Sequence, residues 1–115
     1  MQAFSLIQPS DIDAASIAAA QDGTKYIAGG TDLLQLAKDN IETPTRLVDL
    51  EALPLTGINA DDSFLRLEAM ARMSDVAAHP VVSSRWPVLS QALLASASPQ
   101  VRNMGTMGGN LLQRT

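Results

Sequence analysis

The fold is decided by residues 25–39, which read KYIAGGTDLLQLAKD. Its first four residues form a short strand candidate, Gly29-Gly30 interrupts them, and apolar residues then recur at the spacing of one helical face. Thr31 or Asp32 is placed to cap that helix, which we expect to run to about Asp39. A second strand candidate follows at residues 46–50, RLVDL. This order predicts a βαβ unit with two parallel strands and a right-handed crossover.

The flanking segments extend this unit into an α+β chain. Residues 4–7 predict an edge strand that Pro9 ends, and the Ala-rich residues 10–21 predict a helix. After the βαβ unit, the pattern predicts a hairpin (56–60 and 64–69), a helix from Ser74 to His79 that Pro80 stops, and a helix from Pro87 to about Ala97. Residues 99–115 are expected to be an irregular Gly-rich loop followed by a short apolar segment. Because the chain then stops without turn chemistry, we expect a fragment of a longer protein.

Composition excludes several classes of function. The chain has 115 residues, no Cys and a single His, His79. Disulfides, thiolate zinc sites, iron–sulfur ligation, cysteine nucleophiles and His-rich metal sites are therefore excluded within these residues. No apolar run approaches the ~18–20 residues of a membrane span, and no signal peptide is visible. A net charge of −4 and a pI near 4.6 disfavour nucleic acid as the ligand.

Charge is distributed unevenly along the chain. Residues 1–75 carry all 12 acidic residues, whereas residues 76–115 carry only three charged side chains, Arg85, Arg102 and Arg114. This imbalance favours an anion near the second part of the chain. Chance combined with a buried helix is the alternative explanation.

Two glycine clusters are the main candidates for ligand binding. The first, Ala28-Gly29-Gly30-Thr31-Asp32, lies between a strand and a helix, where free N–H groups and the helix dipole favour a phosphate. A side chain at Gly30 is expected to enter the space that this ligand needs. The Thr31 hydroxyl is a further donor, while Asp32 is unfavourable beside an anion unless it caps the helix. A plain strand-to-helix turn is the alternative.

The second cluster is Gly105-Thr106-Met107-Gly108-Gly109-Asn110. It does not continue as a P-loop, and neither cluster matches GxGxxG. Together the two clusters are able to hold the two ends of a diphosphate.

Other candidates have simpler structural explanations. His79 is expected to cap a helix rather than to catalyse, and Trp86 to anchor packing rather than to stack on a flavin. Met70 and Met73 are expected in the core, and Asp61-Asp62 in a solvated turn. No Ser/His/Asp triad is indicated.

Two motifs together resemble the FAD-binding subunit of the molybdenum hydroxylase family. They are YIAGGTDLLQLAK at residues 26–38 and SPQVRNMGTMGGNLLQRT at residues 98–115. This family includes xanthine dehydrogenases, carbon monoxide dehydrogenases and aldehyde oxidoreductases. The resemblance implies an α+β chain with the PCMH-type (vanillyl-alcohol-oxidase-like) FAD-binding fold. Residues 1–54 would form its amino-terminal βαβ subdomain, and residues 55–115 would begin the second subdomain.

The resemblance also implies a set of cofactor-binding residues and no catalytic or metal-ligating residue. Main-chain N–H groups in the first cluster would hold the FAD diphosphate, and the second cluster would line the flavin. The implied residues are Ala28, Gly29, Gly30, Thr31, Asp32 and Leu33, and then Thr106, Gly108, Gly109 and Asn110. Met107 replaces the family's usual Ile.

A multi-subunit FAD-dependent oxidoreductase is therefore the implied enzyme, with this fragment alone inactive. FAD would pass electrons from iron–sulfur clusters to an unknown acceptor. The implied partners are a 2Fe–2S subunit and a molybdopterin subunit, with no nucleic acid and no membrane span. The ending NLLQRT resembles the aldehyde oxidoreductase branch, in which a 4Fe–4S cluster would lie beyond Thr115. The location would be cytoplasmic, or periplasmic through export with a partner.

Two other functions remain open from the residues alone. One is a non-redox module that binds a nucleotide or phosphorylated metabolite, and the other is a scaffold with incidental glycines. Co-purified flavin separates the first of these from the electron-transfer function.

Overall fold

A computed structural model describes residues 2–114 of the chain. Met1 and Thr115, the two ends of the predicted domain, lie outside the described residues. The described chain forms five strands and seven helices. It divides into two compact units, one holding the chain up to Leu53 together with the residues from Gln113, and the other holding Pro54–Leu112.

The first unit is a three-stranded parallel sheet with two helices. Its elements are β1 (Ser5–Ile7), α1 (Ile12–Ala19), β2 (Thr24–Ile27), α2 (Leu33–Lys38) and β3 (Arg46–Asp49). The strand order is β1-β3-β2, and both outer strands pair with β3 in parallel. The predicted βαβ unit and the predicted edge strand at β1 are therefore confirmed.

The central strand carries the core of this unit. Leu47 and Val48 are neighbours on β3 and point to opposite faces of the sheet, and their exposed fractions are 2% and 0%. Both faces of β3 are therefore covered. The chain passes β3 through α1 to reach β2 and returns to β3 through α2. Crossovers of the usual right hand place their helices on opposite faces when the chain moves in opposite directions across the sheet.

A side-chain hydrogen bond and a glycine turn define the starts of α1 and β2. The Asp11 Oδ1 atom caps α1 by accepting from the Ala14 N–H group at 2.7 Å. Gly23 has a φ of +73°, and a Cβ atom built there would lie 2.6 Å from the Thr45 Oγ1 atom. Only glycine fits this turn before β2 without strain.

The second unit combines a hairpin with five short helices. The hairpin strands are β4 (Ile58–Ala60) and β5 (Leu65–Leu67), which pair antiparallel as predicted. The helices are α3 (Met73–Ala78), α4 (Pro80–Arg85), α5 (Pro87–Ala95), α6 (Pro99–Met104) and α7 (Met107–Leu112). Their core is built on Val76, Val82 and Leu93, and Met73 is buried in it. Met70 is buried as well, so both methionines are core residues, as predicted.

Helix boundaries in this unit correct the predictions around Pro80. α3 begins at Met73 after an Arg72 N-cap, not at a Ser74 cap. The predicted stop is confirmed, because α3 ends at Ala78 and its C-cap His79 has an extended backbone before Pro80. Pro80 is also the first residue of a further helix, α4, which the pattern did not predict. A proline at this position loses no hydrogen bond, because the first N–H groups of a helix have no partner within it.

The predicted loop over residues 99–115 is wrong for most of its length. Ser98 accepts at its Oγ atom from the Val101 N–H group at 3.2 Å, and Pro99 is the first residue of α6. α5 ends at Ala95, and the Ser-Pro pair that follows it is therefore the start signal for α6. The three glycines of this region lie in or beside α7, although glycine is a poor helix former.

Candidate functional site

The first glycine cluster forms the turn that joins β2 to α2. The Ile27 carbonyl at its start accepts from the Leu50 N–H group at 3.0 Å, and the Gly30 carbonyl accepts from the Leu34 N–H group at 3.2 Å. The turn is thus fixed at both ends by main-chain hydrogen bonds. It lies at the carboxyl end of a parallel strand, the edge at which open α/β sheets bind their ligands.

Six consecutive main-chain N–H groups in this turn, those of residues 28–33, make no hydrogen bond to any residue among those described. Buried or partly buried N–H groups are normally paired, so a run of unpaired donors needs a partner from water or a ligand. All the residues of the run except Thr31 are partly buried. Such a run provides donors for an anion.

Gly30 gives the turn its shape, with a φ of +79°. A Cβ atom built on it would lie 2.9 Å from the Leu34 Cδ1 atom and 3.6 Å from the Ile27 Cδ1 atom. The expectation that this side chain would enter the ligand's space is therefore wrong, because the Cβ position faces the unit's own apolar side chains. Gly30 is required for the conformation of the turn.

Asp32 does not cap α2, although it stands at the N-cap position. Its Oδ2 atom instead accepts from the main-chain N–H group of Arg114 at 3.3 Å. The Arg114 guanidinium donates to the Glu42 Oε1 atom at 2.7 Å, and the Lys25 Nζ atom lies 3.8 Å from the Glu42 Oε2 atom. Sequence reasoning missed this cluster. The uneven charge distribution was the signal for it, since a basic residue of the acid-free segment meets acids of the first half.

The other two arginines of the acid-free segment also have partners within the chain. The Arg102 Nη1 atom donates to the Ser96 and Ala97 carbonyls at 2.7 and 3.2 Å. The Arg85 guanidinium lies 4.5 Å from the centre of the Trp86 ring. The charge imbalance therefore does not by itself indicate an external anion.

The second glycine cluster lies in the second unit, and its N–H groups are used internally. The Met107 N–H group donates to the Ala71 carbonyl at 2.9 Å, and the Gly108 N–H group donates to the Ala69 carbonyl at 2.8 Å. The Gly109 N–H group donates to the Thr106 Oγ1 atom at 3.1 Å, so Thr106, which is 3% exposed, closes the first turn of α7. This cluster differs from the first in having no run of free donors.

Gly108 is required by packing. A Cβ atom built on it would lie 3.0 Å from both the Cβ and the carbonyl oxygen of Ala69. Gly109 is exposed, and its Cβ position is close only to the Thr106 hydroxyl. Of the two, Gly109 is the one that a ligand can approach.

The remaining candidates have structural roles. His79 is the C-cap of α3, as predicted, and its side chain also caps the start of α4, which the prediction did not include. The His79 Nδ1 atom caps α4 by accepting from the Val81 N–H group at 3.3 Å. Asp61 is exposed in the hairpin turn, where its Oδ1 atom accepts from the Ser63 and Phe64 N–H groups at 2.8 and 2.7 Å. These two hydrogen bonds lower the pKa of Asp61 below its ordinary value.

Residues 2–114 contain no group of three or more His, Asp or Glu residues arranged to hold a metal ion. Within the same range, every helix is too short or too polar to cross a bilayer.

Comparison with known proteins decides the family. Residues 2–115 match the model of the FAD binding domain in molybdopterin dehydrogenase. The chain belongs to this family. Membership confirms the resemblance drawn from the two motifs, and it leaves the non-redox alternative without support.

Relatives in the family are flavin subunits of several enzymes. The chain is 52% identical over 104 residues to the aldehyde oxidoreductase FAD-binding subunit PaoB of Escherichia coli, covering 90% of this chain and 33% of the relative. It is 39% identical over 88 residues to the carbon monoxide dehydrogenase medium chain of Hydrogenophaga pseudoflava, covering 76% of this chain and 31% of the relative. The chain therefore spans about a third of the length of these relatives.

Solved structures of the family share the fold. Carbon monoxide dehydrogenase from Hydrogenophaga pseudoflava, in a form that lacks the Mo-pyranopterin moiety, aligns with a TM-score of 0.91 at 33% identity. Quinoline 2-oxidoreductase from Pseudomonas putida 86 aligns with a TM-score of 0.90 at 33% identity. Each alignment covers 96% of this chain and 39% of the other. The predicted α+β FAD-binding fold is confirmed.

The residues at the first turn fit part of the cofactor that the family binds. FAD carries a diphosphate, and six adjacent main-chain donors without an internal partner suit such an anion. An apolar pocket of the first unit, lined by Phe4, Leu34 and Leu47 among others, shares only Leu33 with this turn and offers a diphosphate no donors comparable to the turn.

Proposed function

We propose that this chain is the amino-terminal part of the FAD-binding, electron-transfer subunit of a molybdenum hydroxylase. Within it, the main-chain N–H groups of Ala28, Gly29, Gly30, Thr31, Asp32 and Leu33 bind the diphosphate of FAD. The main support for this proposal is the run of six unpaired main-chain donors in a chain that belongs to the FAD-binding family.

The proposed binding requires little reorganisation of the turn. Main-chain bonds at Ile27 and Gly30 already fix its two ends, and the positive φ of Gly30 sets its curvature. Pre-organised donors lose little conformational entropy when the ligand binds. Thr31 is exposed, and its hydroxyl is proposed as a further donor beside the N–H groups.

Thr106, Gly108, Gly109 and Asn110 are proposed to lie along the flavin. Their support comes from the family motif and from Gly109, which is exposed and carries no side chain to block an approaching ring. Their N–H groups are not proposed as donors, because Gly108 and Gly109 already use theirs within the second unit. Their proposed role is to let the flavin ring approach the chain closely.

FAD supplies the redox chemistry when bound, and this chain contributes binding and orientation. The proposed enzyme has an iron–sulfur subunit and a molybdopterin subunit as partners, and it passes electrons on to an external acceptor. Two of the relatives are named as medium chains of carbon monoxide dehydrogenases, which supports a heteromeric assembly. The proposed location is the cytoplasm, with the periplasm as the alternative if a partner is exported.

Replacing Thr31 by proline in the complete subunit tests the proposed role of the N–H groups. Thr31 is the first residue inside the turn in which the Gly30 carbonyl accepts from the Leu34 N–H group. Proline is tolerated at such a position. The N–H group that proline removes has no partner among the described residues. Loss of one hydrogen bond to a charged group is expected to weaken FAD binding by about tenfold to a hundredfold.

Thr31→Ala is the matched control, since it removes the hydroxyl and keeps the N–H group. We expect it to weaken binding much less than Thr31→Pro, with both variants folded as judged by circular dichroism. Equal FAD affinity for wild type and Thr31→Pro, measured by titration of the apoprotein, would refute the role of this N–H group.

A further inference from the structure

We propose that Arg114 is a positioning residue for the flavin site, an inference that rests on the function proposed above. Its ion pair with Glu42 holds the main-chain N–H group of residue 114 against the Asp32 carboxylate. That contact keeps the carboxylate away from the free N–H groups of residues 28–33.

Asp32 is a competitor for those donors. Asp32 lies within the run of unpaired main-chain donors, and hydrogen bonds from N–H groups to an ionised carboxylate are stronger than those to a neutral acceptor. A carboxylate bound in this way would occupy donors that the diphosphate needs and would also repel it. In the structure Asp32 makes no such bond, and its Oδ2 atom lies 3.3 Å from the Arg114 nitrogen instead.

Glu42 provides a fixed anchor for Arg114. Its side chain is only 19% exposed, against 56% for that of Arg114, and its main-chain N–H group donates to the Leu36 carbonyl at 3.2 Å. Lys25 approaches the second carboxylate oxygen of Glu42. Asp32 precedes α2 and Glu42 follows it, so Arg114 links the two ends of this helix.

Arginine is suited to this task in two independent ways. Its guanidinium engages the anchor, donating to Glu42 at 2.7 Å, while its main chain supplies the donor to Asp32. The Asp32 charge is thereby paired with an N–H group that does not belong to residues 28–33. This arrangement resolves the difficulty of an aspartate beside a diphosphate site.

The test compares FAD affinity of Arg114→Ala in two backgrounds of the complete subunit. In the wild-type background we expect binding about threefold to fivefold weaker, the range set by an exposed ion pair. In an Asp32→Ala background, which keeps every N–H group but removes the competing carboxylate, adding Arg114→Ala is expected to change the affinity no further. A merely structural role for Arg114 predicts the same loss in both backgrounds.

Two further variants complete the design. Arg85→Ala is the matched control, because this arginine lies over Trp86 in the second unit, and it should bind FAD like wild type. Glu42→Gln releases Arg114 without changing it and should reproduce the loss, which keeps the test decisive if Arg114→Ala does not fold.

Each outcome has a defined meaning. Unchanged affinity in both Arg114→Ala and Glu42→Gln, or an equal loss with and without Asp32, overturns the positioning role while leaving the flavin site intact. A wild-type subunit that binds no FAD overturns the proposed function, and the positioning role with it.

Discussion

Glu42 is the carboxylate whose charge holds Arg114 beside the candidate site. Its pKa lies below the ordinary value of 4.5, chiefly because the Arg114 side chain donates a hydrogen bond to it, with Lys25 adding an attractive charge. For a carboxyl with a lowered pKa, the stabilising contribution is present above the unfolded-state pKa and is lost as pH falls through the folded-state pKa. The Arg114 contact should therefore persist at neutral pH and weaken only in acid.

Arg114→Ala is predicted to raise the pKa of Glu42 toward 4.5, because it removes the largest cause of the shift. Asp61 is an internal control, since its lowered pKa depends on the Ser63 and Phe64 N–H groups and should not move. Carboxyl-carbon NMR titration of the two side chains measures both. A Glu42 pKa that stays in place, or an Asp61 pKa that moves equally, would contradict the assigned contact.

At the scale of elements, the two glycine motifs are built differently. The turn between β2 and α2 leaves six N–H groups unpaired, whereas α7 uses the N–H groups of Met107, Gly108 and Gly109 inside the second unit. The first motif is thus a set of donors. The second is a close packing contact with one exposed glycine.

Gly108→Ala and Gly109→Ala form a matched pair that tests this difference. The Gly108 Cβ position lies 3.0 Å from the Ala69 main chain, so we expect its alanine variant to lose about 1–3 kcal/mol of unfolding free energy. Gly109 is exposed, and its alanine variant should change stability by less than about 1 kcal/mol, because alanine also favours the helix. Urea denaturation of the two variants gives the comparison, and equal stabilities would show that the packing at Ala69 has been misjudged.

Elements with strong local signals could be predicted from the sequence. The parallel strands around residues 25–50, the hairpin and the helix from Pro87 follow from hydrophobic period and turn residues. The start of α6 could not be separated from the end of α5, because a Ser-Pro pair fits both the end of one helix and the cap of the next, and only the second role applies to Ser98-Pro99. α7 was missed because its glycines disfavour a helix locally, and contacts to Ala69 and Ala71 stabilise it instead.

The candidate site shows the same limit. Free N–H groups in the first turn follow from a strand, two glycines and a helix in sequence order. The contact of Arg114 with Asp32 joins residues that are 82 positions apart, and local patterns contain no information about such pairs. The direction of the Gly30 Cβ position likewise depends on Leu34 and Ile27 packing, which spacing alone does not give.

At the scale of the whole molecule, this chain corresponds to about a third of its relatives. Large apolar side chains are exposed on it, among them Leu111 and Leu112 at 79% and 86%. Exposed apolar patches of this kind commonly mark surfaces that another segment or chain covers.

The 115-residue chain is therefore predicted to fold but to bind FAD only weakly. The diphosphate would contact residues 28–33, while about two thirds of the length of the relatives lies outside this chain. Since each ~1.4 kcal/mol of lost contact weakens binding tenfold, we expect a Kd weaker than about 1 μM by calorimetric titration. A submicromolar Kd for the chain alone would show that it already holds the whole site.

The most direct measurement is an NMR titration of the isotope-labelled chain with FAD at up to millimolar concentration. Amide signals report hydrogen bonding at each main-chain N–H group, and weak binding is enough to shift them. We predict that the largest proton shifts occur at residues 28–33, and that the amides of Gly108 and Gly109 shift less because they are already bonded. Shifts confined to other residues, with those of residues 28–33 unchanged, would contradict the proposal that this turn binds the FAD diphosphate.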